Sequence, residues 1–488
     1  MLTPPAIGDS RLSFWLRVRE FAVPPSMIET ATARRLAGDW AGACAAAGFD
    51  VDFQLRSVAR SHHPELAARI RADLRCLAPD LLRWHLPRIA PDGLLRPGLT
   101  LTLARYDAPG PDGVGPVHLV ARTPPAWADA GQRISLALWD GSGADYGADA
   151  GRHPHPRPSR RFRFDLHRHL WDAGRADDLR VRSGADGPAD RGPAVPTGAV
   201  PDGYSCAVGR WAAEARILLR AERLPAGPVL VRCGGRHRLV LEVDGGAPAS
   251  GSAWGVVPQS AGSAPALPGP AEASGSAPAL PGLSMAAASA SGLPVLPDAA
   301  TWVPPDLELI RAGAIDVDRL HPLVASALVP GHVPAGPSGL PDPAGQPRPV
   351  ACRGARHRIG LVDGVLAPLD HAPDEIRREE LLAALGGIPL PCLQAIDEAH
   401  RHPDCLTGVR ERLVHGDVAG ALAVVEGLLG PGALLRDGPL RDALEAAARQ
   451  RITYGLYRAG LIGPGRARPE DVRPPRVGRS RPRHGNRR

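Results

Sequence analysis

The chain has 488 residues and not one lysine; all 58 of its basic side chains are arginine. Chemistry that needs a side-chain primary amine is therefore excluded. A phosphate-binding loop of the G-x-x-x-x-G-K-[ST] type, the kinase strand lysine, a pyridoxal Schiff base and the S-x-x-K hydrolases each lack their central residue. Methionine is scarce at three residues, against 56 Gly and 54 Pro. That profile is the codon bias of a GC-rich, actinobacterial-type genome; hyperthermophiles instead enrich Lys and Glu.

Phenylalanine and tyrosine are also few, six and five, so nine Trp and many Leu must supply the packing. Seven cysteines, an odd number without regular close spacing, do not make a disulfide framework, and a reducing cytoplasm fits them best. No uninterrupted apolar run of about 18 residues occurs, and residues 1–26 have no apolar stretch of signal-peptide kind, so neither a membrane span nor a secretory signal is expected. No G-x-S-x-G elbow, H-E-x-x-H helix, G-x-G-x-x-G fingerprint or C-x-x-C pair is present. No catalytic or cofactor-binding residue is assigned on this basis.

The net charge of +7 is local. Between Arg466 and Arg488 nine arginines face only Glu470 and Asp471, a surplus of seven, so the rest of the chain is electrically balanced. This tail has no aromatic residue for base stacking, which leaves nonspecific attraction to nucleic acid or to an acidic partner.

What is present divides the chain. Residues 246–300 form a Pro/Ala/Gly/Ser tract that contains the octamer GSAPALPG twice and reads as a disordered linker. Shorter breaks of similar composition lie at 183–203 and 331–349. The expected organisation is an α+β domain at 1–245, the linker, a second α+β domain at 301–462 and a disordered basic tail at 463–488.

Helical hairpins bracket the two globular parts. At Gly38-Asp39 and again at Gly416-Asp417, Gly ends one helix in a left-handed conformation and Asp caps the next. Three alternating segments, 99–106, 115–123 and 133–140, predict an antiparallel meander, with 160–167 as a fourth strand. Residues 206–222 and 374–385 read as helices, the second closed by Gly386-Gly387.

Two short hairpins flank the linker and share Val, Cys, Gly, Arg-His-Arg, an apolar strand and Asp-Gly: VLVRCGGRHRLVLEVDG (229–245) and VACRGARHRIGLVDG (350–364). They indicate an internal duplication. Cys233/His237 and Cys352/His357 place a thiol near an imidazole, the raw material of a nucleophile or half a metal site. With a two-residue Gly234-Gly235 turn, Cys233 faces Arg236 and His237 points away; only a longer loop brings thiol and imidazole together. His237 and His357, in register with Leu239/Leu241 and Ile359/Leu361, are expected on core faces as packing residues. The Cys352-x5-Arg358 spacing matches a phosphatase loop, but a strand follows where that loop needs a helix.

Cys392, His400, His402 and Cys405 are metal-ligand types within 14 residues, although a helix through 397–401 would fan them around its axis. The letters Asp397-Glu398-Ala399-His400 match a helicase box that is meaningless without its lysine partner. His153/His155 and His167/His169 are read as surface histidines. Asp50/Asp52 and Asp316/Asp318 are read as helix-capping carboxylates sooner than as cation ligands. The sequence therefore points to a cytoplasmic, non-enzymatic binding or scaffold protein that contacts a protein partner. The alternatives are a Cys/His metalloprotein or hydrolase, and an accessory nucleic-acid-binding protein acting through the tail.

Overall fold

The computed structural model describes residues 7–109, 115–129, 131–141, 153–186, 205–234, 237–244, 283–285, 292–333, 348–362, 365–401, 406–430, 432 and 434–463. The tail from residue 464, the octamer repeats and most of the expected linker lie outside the described residues. Among the described residues no helix is long and apolar enough to cross a membrane. The architecture is α+β: among the described residues a two-stranded ribbon of Arg88–Ile89 and Leu94–Leu95 accompanies three larger sheets, each packed on helices.

The first sheet is the expected meander with one addition. Its order is Phe49–Val51, Ile134–Trp139, Pro116–Arg122, Thr100–Pro109, in which the first strand runs parallel to its neighbour and the others are antiparallel. Its inner face carries Leu101, Leu103, Val117, Leu119, Ile134 and Leu136, all at most 1% exposed, against helices Pro64–Cys76 and Pro79–His85. The fourth meander strand expected at 160–167 is not one. Phe162 and Phe164 are buried, but the segment is a short 3-10 turn over Phe164–Leu166, closed by the Arg163–Asp165 ion pair at 2.9 Å. Alternating Phe with charge imitated a strand's period of two.

Both Gly-Asp helix junctions are as expected. Gly38 and Gly416 have φ of 77° and 89°, and the Asp39 and Asp417 carboxylates accept hydrogen bonds from the backbone N–H of Gly42 and Gly420. Helices Val208–Ala221 and Pro373–Ala384 match their sequence readings, the second closed by the Gly386-Gly387 turn.

The two hairpins of similar sequence each carry a third strand. Gly227–Arg232 and Arg238–Val243 are joined by Leu283–Met285; Arg348–Cys352 and Ala355–Val362 are joined by Val365–Pro368. The C-terminal part of the expected linker is thus structured. Residues 283–285 form that strand, Leu296 and Ala300 enter the core of the first hairpin, and Asp298–Thr301 is a helical turn.

Packing also runs across the linker. Val324 and Ala327 enter the meander core, while Leu309, Ile315 and Leu320 pack with Val18 and Trp84. Beneath them Asp306 accepts from Arg19 at 3.0 Å and from the Trp84 indole at 2.7 Å, all three side chains being buried. Arg83 is a second junction. Its guanidinium, fully buried, donates to the carbonyls of Ala22 (2.9 Å), Gln132 (2.6 Å) and His415 (2.8 Å). Burial lowers its pKa to about 10. Gly131 and Gly416 touch backbone to backbone beside it, where a Cβ on Gly416 would sit 2.0 Å from the Gly131 oxygen. At the end of the long helix Pro439–Arg458, Tyr454 donates to Asp50 at 2.8 Å and Arg458 reaches both Asp50 and Asp52. Asp50 and Asp52 are therefore occupied by arginines, not by helix caps or a cation, whereas Asp316 does cap a short helix as expected.

Of the four histidines read as surface groups, His153, His167 and His169 are buried and His155 is exposed as expected. His153 is 6% exposed and its ring lies 2.9 Å from the Thr123 carbonyl; His155 is exposed. His167 and His169 are both buried, with His167 Nδ1 3.0 Å from the Arg163 carbonyl and Nε2 3.3 Å from Glu214. The carbonyls of Thr123 and Arg163 and the buried Glu214 carboxylate lie against the rings of His153 and His167, which sequence alone assigned to solvent.

Candidate metal centre

Three elements of the third sheet's neighbourhood converge on one point. The second hairpin turns through Arg353-Gly354, both at positive φ (50° and 81°), the type I′ geometry that matches strand twist. Cys352 then pairs with Ala355, and Val350 with His357. Residues two apart share a face of a strand, so Cys352 and His357 lie diagonally on the same side of the hairpin. Helix Pro391–Arg401 covers that face and brings in Cys392 from its first turn, with Pro391 as a suitable helix-starting residue. The loop after the third strand supplies His371.

One donor atom from each of Cys352, His357, His371 and Cys392 lies within 4.8 Å of every other. The His357 Nδ1 and His371 Nε2 atoms are 2.7 Å apart, and Cys392 Sγ is 3.7 Å from His371 Nε2. Zinc bonds of about 2.3 Å to sulfur and 2.0–2.1 Å to nitrogen put neighbouring ligands of a tetrahedron roughly 3.3–3.8 Å apart. The observed cage needs only small adjustments of side chains to reach that.

Electrostatics favour a cation at the centre. Both thiols are at 0% exposure, and burial, followed by the neighbouring Cys352, pushes the Cys392 thiol up to about 11. Two adjacent buried thiols cannot both ionise without compensating charge, and a divalent cation supplies it. The amino end of the helix carrying Cys392 acts in the same direction on the thiolate. A second layer is also in place: His371 Nδ1 lies 3.2 Å from Glu375 Oε2, and Glu375 is held by Arg353 at 3.3 Å. A carboxylate on the far nitrogen fixes the tautomer that leaves Nε2 free to ligate. Two sulfurs and two imidazoles in a compact cage suit zinc, and four protein ligands leave no open position for substrate or water.

Of the residues singled out as metal ligands from sequence, Cys392 is in this cluster, and its partners are not its sequence neighbours. The side chain of His400, and residues His402 and Cys405, lie outside the described residues. His357 leaves the packing role expected for it, because its ring meets His371 and the two thiols. Arg358, the second half of the phosphatase-like spacing, points to the other face and pairs with Asp370 at 2.7 Å. His371 carried no sequence signal of its own, since it is separated from every other ligand by 13 residues or more. In the first hairpin the loop is longer than two residues: Arg232 pairs with Arg238, and the Cys233 N–H donates to the His237 carbonyl at 2.9 Å. Cys233 is at 0% exposure in that core, and among the described residues no further metal-ligand cluster of three or more is found there.

No protein-family model, curated protein or solved structure matches this chain.

Proposed function

We propose that this is a non-enzymatic binding or scaffold protein whose C-terminal module is organised by a structural Cys2His2 zinc centre. The observation that carries the reading is the convergence of Cys352, His357, His371 and Cys392 from three separate elements to within 4.8 Å. A four-ligand closed site argues for holding structure and against metal-assisted hydrolysis, which keeps a position open. Thiolate ligation also fits a reducing compartment such as the cytoplasm.

The binding half of the reading rests on the helix beside the centre. Leu381 and Leu382 are 60% and 52% exposed at the end of helix Pro373–Ala384, and Leu385 and Ile388 are 86% and 87% exposed in the turn that follows. Four large apolar side chains in eight residues, just before the ligand Cys392, suit contact with a protein partner. The metal would fix the hairpin and helix that present them.

The test is metal analysis of the full chain purified without added zinc, together with C352S and C392S variants. About one zinc per chain, lost in both variants along with several degrees of thermal midpoint, is the expected result. A chain that binds no transition metal even after zinc is supplied, with variants that melt like the parent, would overturn the proposal.

A further inference from the structure

A cavity of about 390 Å³ opens where the meander sheet ends. Helix Pro64–Cys76 contributes Arg69 and Asp73 to its wall, strand Thr100–Pro109 contributes Arg105 and Tyr106, and two 3-10 turns contribute Asp165 and Arg168. Thr100–Pro109 is the last strand of its sheet. Its outer edge is covered as far as Thr102, where Ser159 N–H donates to the Thr100 carbonyl at 2.9 Å and Thr102 N–H donates to the Phe162 carbonyl at 3.2 Å. The register then shifts between Thr102 and Ala104, a bulge that re-aims the residues beyond it, and the cavity lies against those residues.

Both carboxylates on the wall are already engaged. Asp73 accepts from Arg168 through Oδ1 and from the Tyr106 hydroxyl through Oδ2, each at 2.6 Å. Asp165 accepts from Arg163 through both oxygens, at 2.9 and 3.2 Å. The guanidiniums are not matched in the same way. Arg69 would ordinarily find an acid in Asp73, four residues on along one helix face, but that side chain is taken. Arg69 instead lies over the Tyr106 ring, 5.1 Å from its centre, and makes no hydrogen bond or ion pair among the described residues. Arg105 has only a 3.5 Å contact with the exposed Asp107. Arg168 spends Nε and Nη2 on Asp172 and Asp73, which leaves its Nη1 without an acceptor among the described residues. The cavity therefore offers open N–H donors from three arginines and no open carboxylate.

We infer that this cavity binds a phosphoryl group, carried by inorganic phosphate or by the monoester of a small polar molecule. Planar guanidinium forks match phosphoryl oxygens, and charge-assisted bonds from several of them suit a dianion better than a single carboxylate charge. The volume lies within the range of small-molecule sites and leaves room for a body of a few carbons beside the phosphoryl group. Apart from the Tyr106 ring, only Ala72 and Ala104 on the wall are apolar, so that body is polar. The site binds and does no chemistry, and it does not rest on the zinc centre.

The test follows glycerol phosphate and inorganic phosphate by phosphorus NMR as each is titrated with the full chain, in the parent and in R69Q, R105Q and R71Q. At least one of the two should bind saturably with a Kd below about 1 mM. R69Q and R105Q should each weaken that binding about tenfold, the worth of one hydrogen bond to a charged group. R71Q should leave it unchanged, because Arg71 is exposed on the same helix and does not line the cavity. The basic tail is present in every chain, so its attraction for phosphate cancels in the comparison. Tighter binding of glycerol phosphate assigns the ester as the source, and equal or tighter binding of inorganic phosphate assigns the free ion. No saturable binding of that strength, or binding that R69Q and R105Q leave unchanged, overturns the inference. Arg69 and Arg105 are exposed, and thermal midpoints equal to the parent's verify that the variants fold.

Discussion

The imidazole of His371 is held at both ends: its Nδ1 lies 3.2 Å from the Glu375 carboxylate and its Nε2 3.7 Å from the sulfur of Cys392. Glu375 therefore stands directly behind a ligand of the proposed zinc site, and its effect should be read in affinity. Replacing Glu375 with Ala is expected to weaken zinc binding about 10–100-fold, as for other carboxylates behind ligating histidines. Competition with a chromophoric chelator measures this. An unchanged affinity would mean that Glu375 serves only its ion pair with Arg353.

His153 supplies a pH-dependent prediction. Burial pushes its pKa down to about 4, despite the hydrogen bond to the Thr123 carbonyl that favours its charged form. The unfolded chain binds a proton near pH 6.5 and the folded chain does not until about pH 4, so the stability this ring contributes is complete above pH 6.5 and is lost as pH falls toward 4. The loss is on the order of 3 kcal/mol by pH 4. His85, His118 and His415 are depressed to about 4 as well, chiefly by burial, and act in the same direction. Calorimetry between pH 7 and pH 4 should show a falling thermal midpoint, and H153Q should show a shallower fall than the parent. Equal slopes would place the acid lability elsewhere.

Arg83 joins three segments through backbone carbonyls alone, so its removal leaves acceptors with no alternative donor. Replacement by Met keeps much of the side-chain volume and strands the carbonyls of Ala22, Gln132 and His415 in the interior. At about 1–3 kcal/mol for each unsatisfied buried group, R83M should cost at least ~3 kcal/mol. The urea midpoint is the readout, and a variant within ~1 kcal/mol of the parent would show that water reaches these carbonyls.

Local signals in the sequence were enough for the local structure. Gly38-Asp39 and Gly416-Asp417 specify their helix junctions through chemistry confined to a few residues, and the meander strands carry their own alternation. The candidate metal centre was legible only in part. Cys352 and His357 were visible as a pair because only four residues separate them, but their shared face depended on whether the turn had two residues, and a C-x4-H spacing around a two-residue turn puts both on one side. His371 and Cys392 arrive through tertiary packing, which no spacing rule reports. Arg83 and Asp306 were equally silent, since a buried arginine looks the same in sequence as the many on the surface. The Phe162/Phe164 alternation shows the converse failure, in which a strand-like pattern was produced by two anchors and an ion-paired turn.

The carbonyl that Arg83 receives from His415 lies 332 residues further along the chain, and the hydroxyl that Asp50 receives from Tyr454 lies 404 residues further. On the ribosome, the meander and its neighbouring helices emerge long before these partners exist. A buried guanidinium cannot be left waiting in an apolar interior, so the early-synthesised half must remain loose around Arg83, or be sheltered by a chaperone, until helices near the carboxyl end are released. The order of synthesis and the order of completion are thereby uncoupled: the first residues made are among the last to settle.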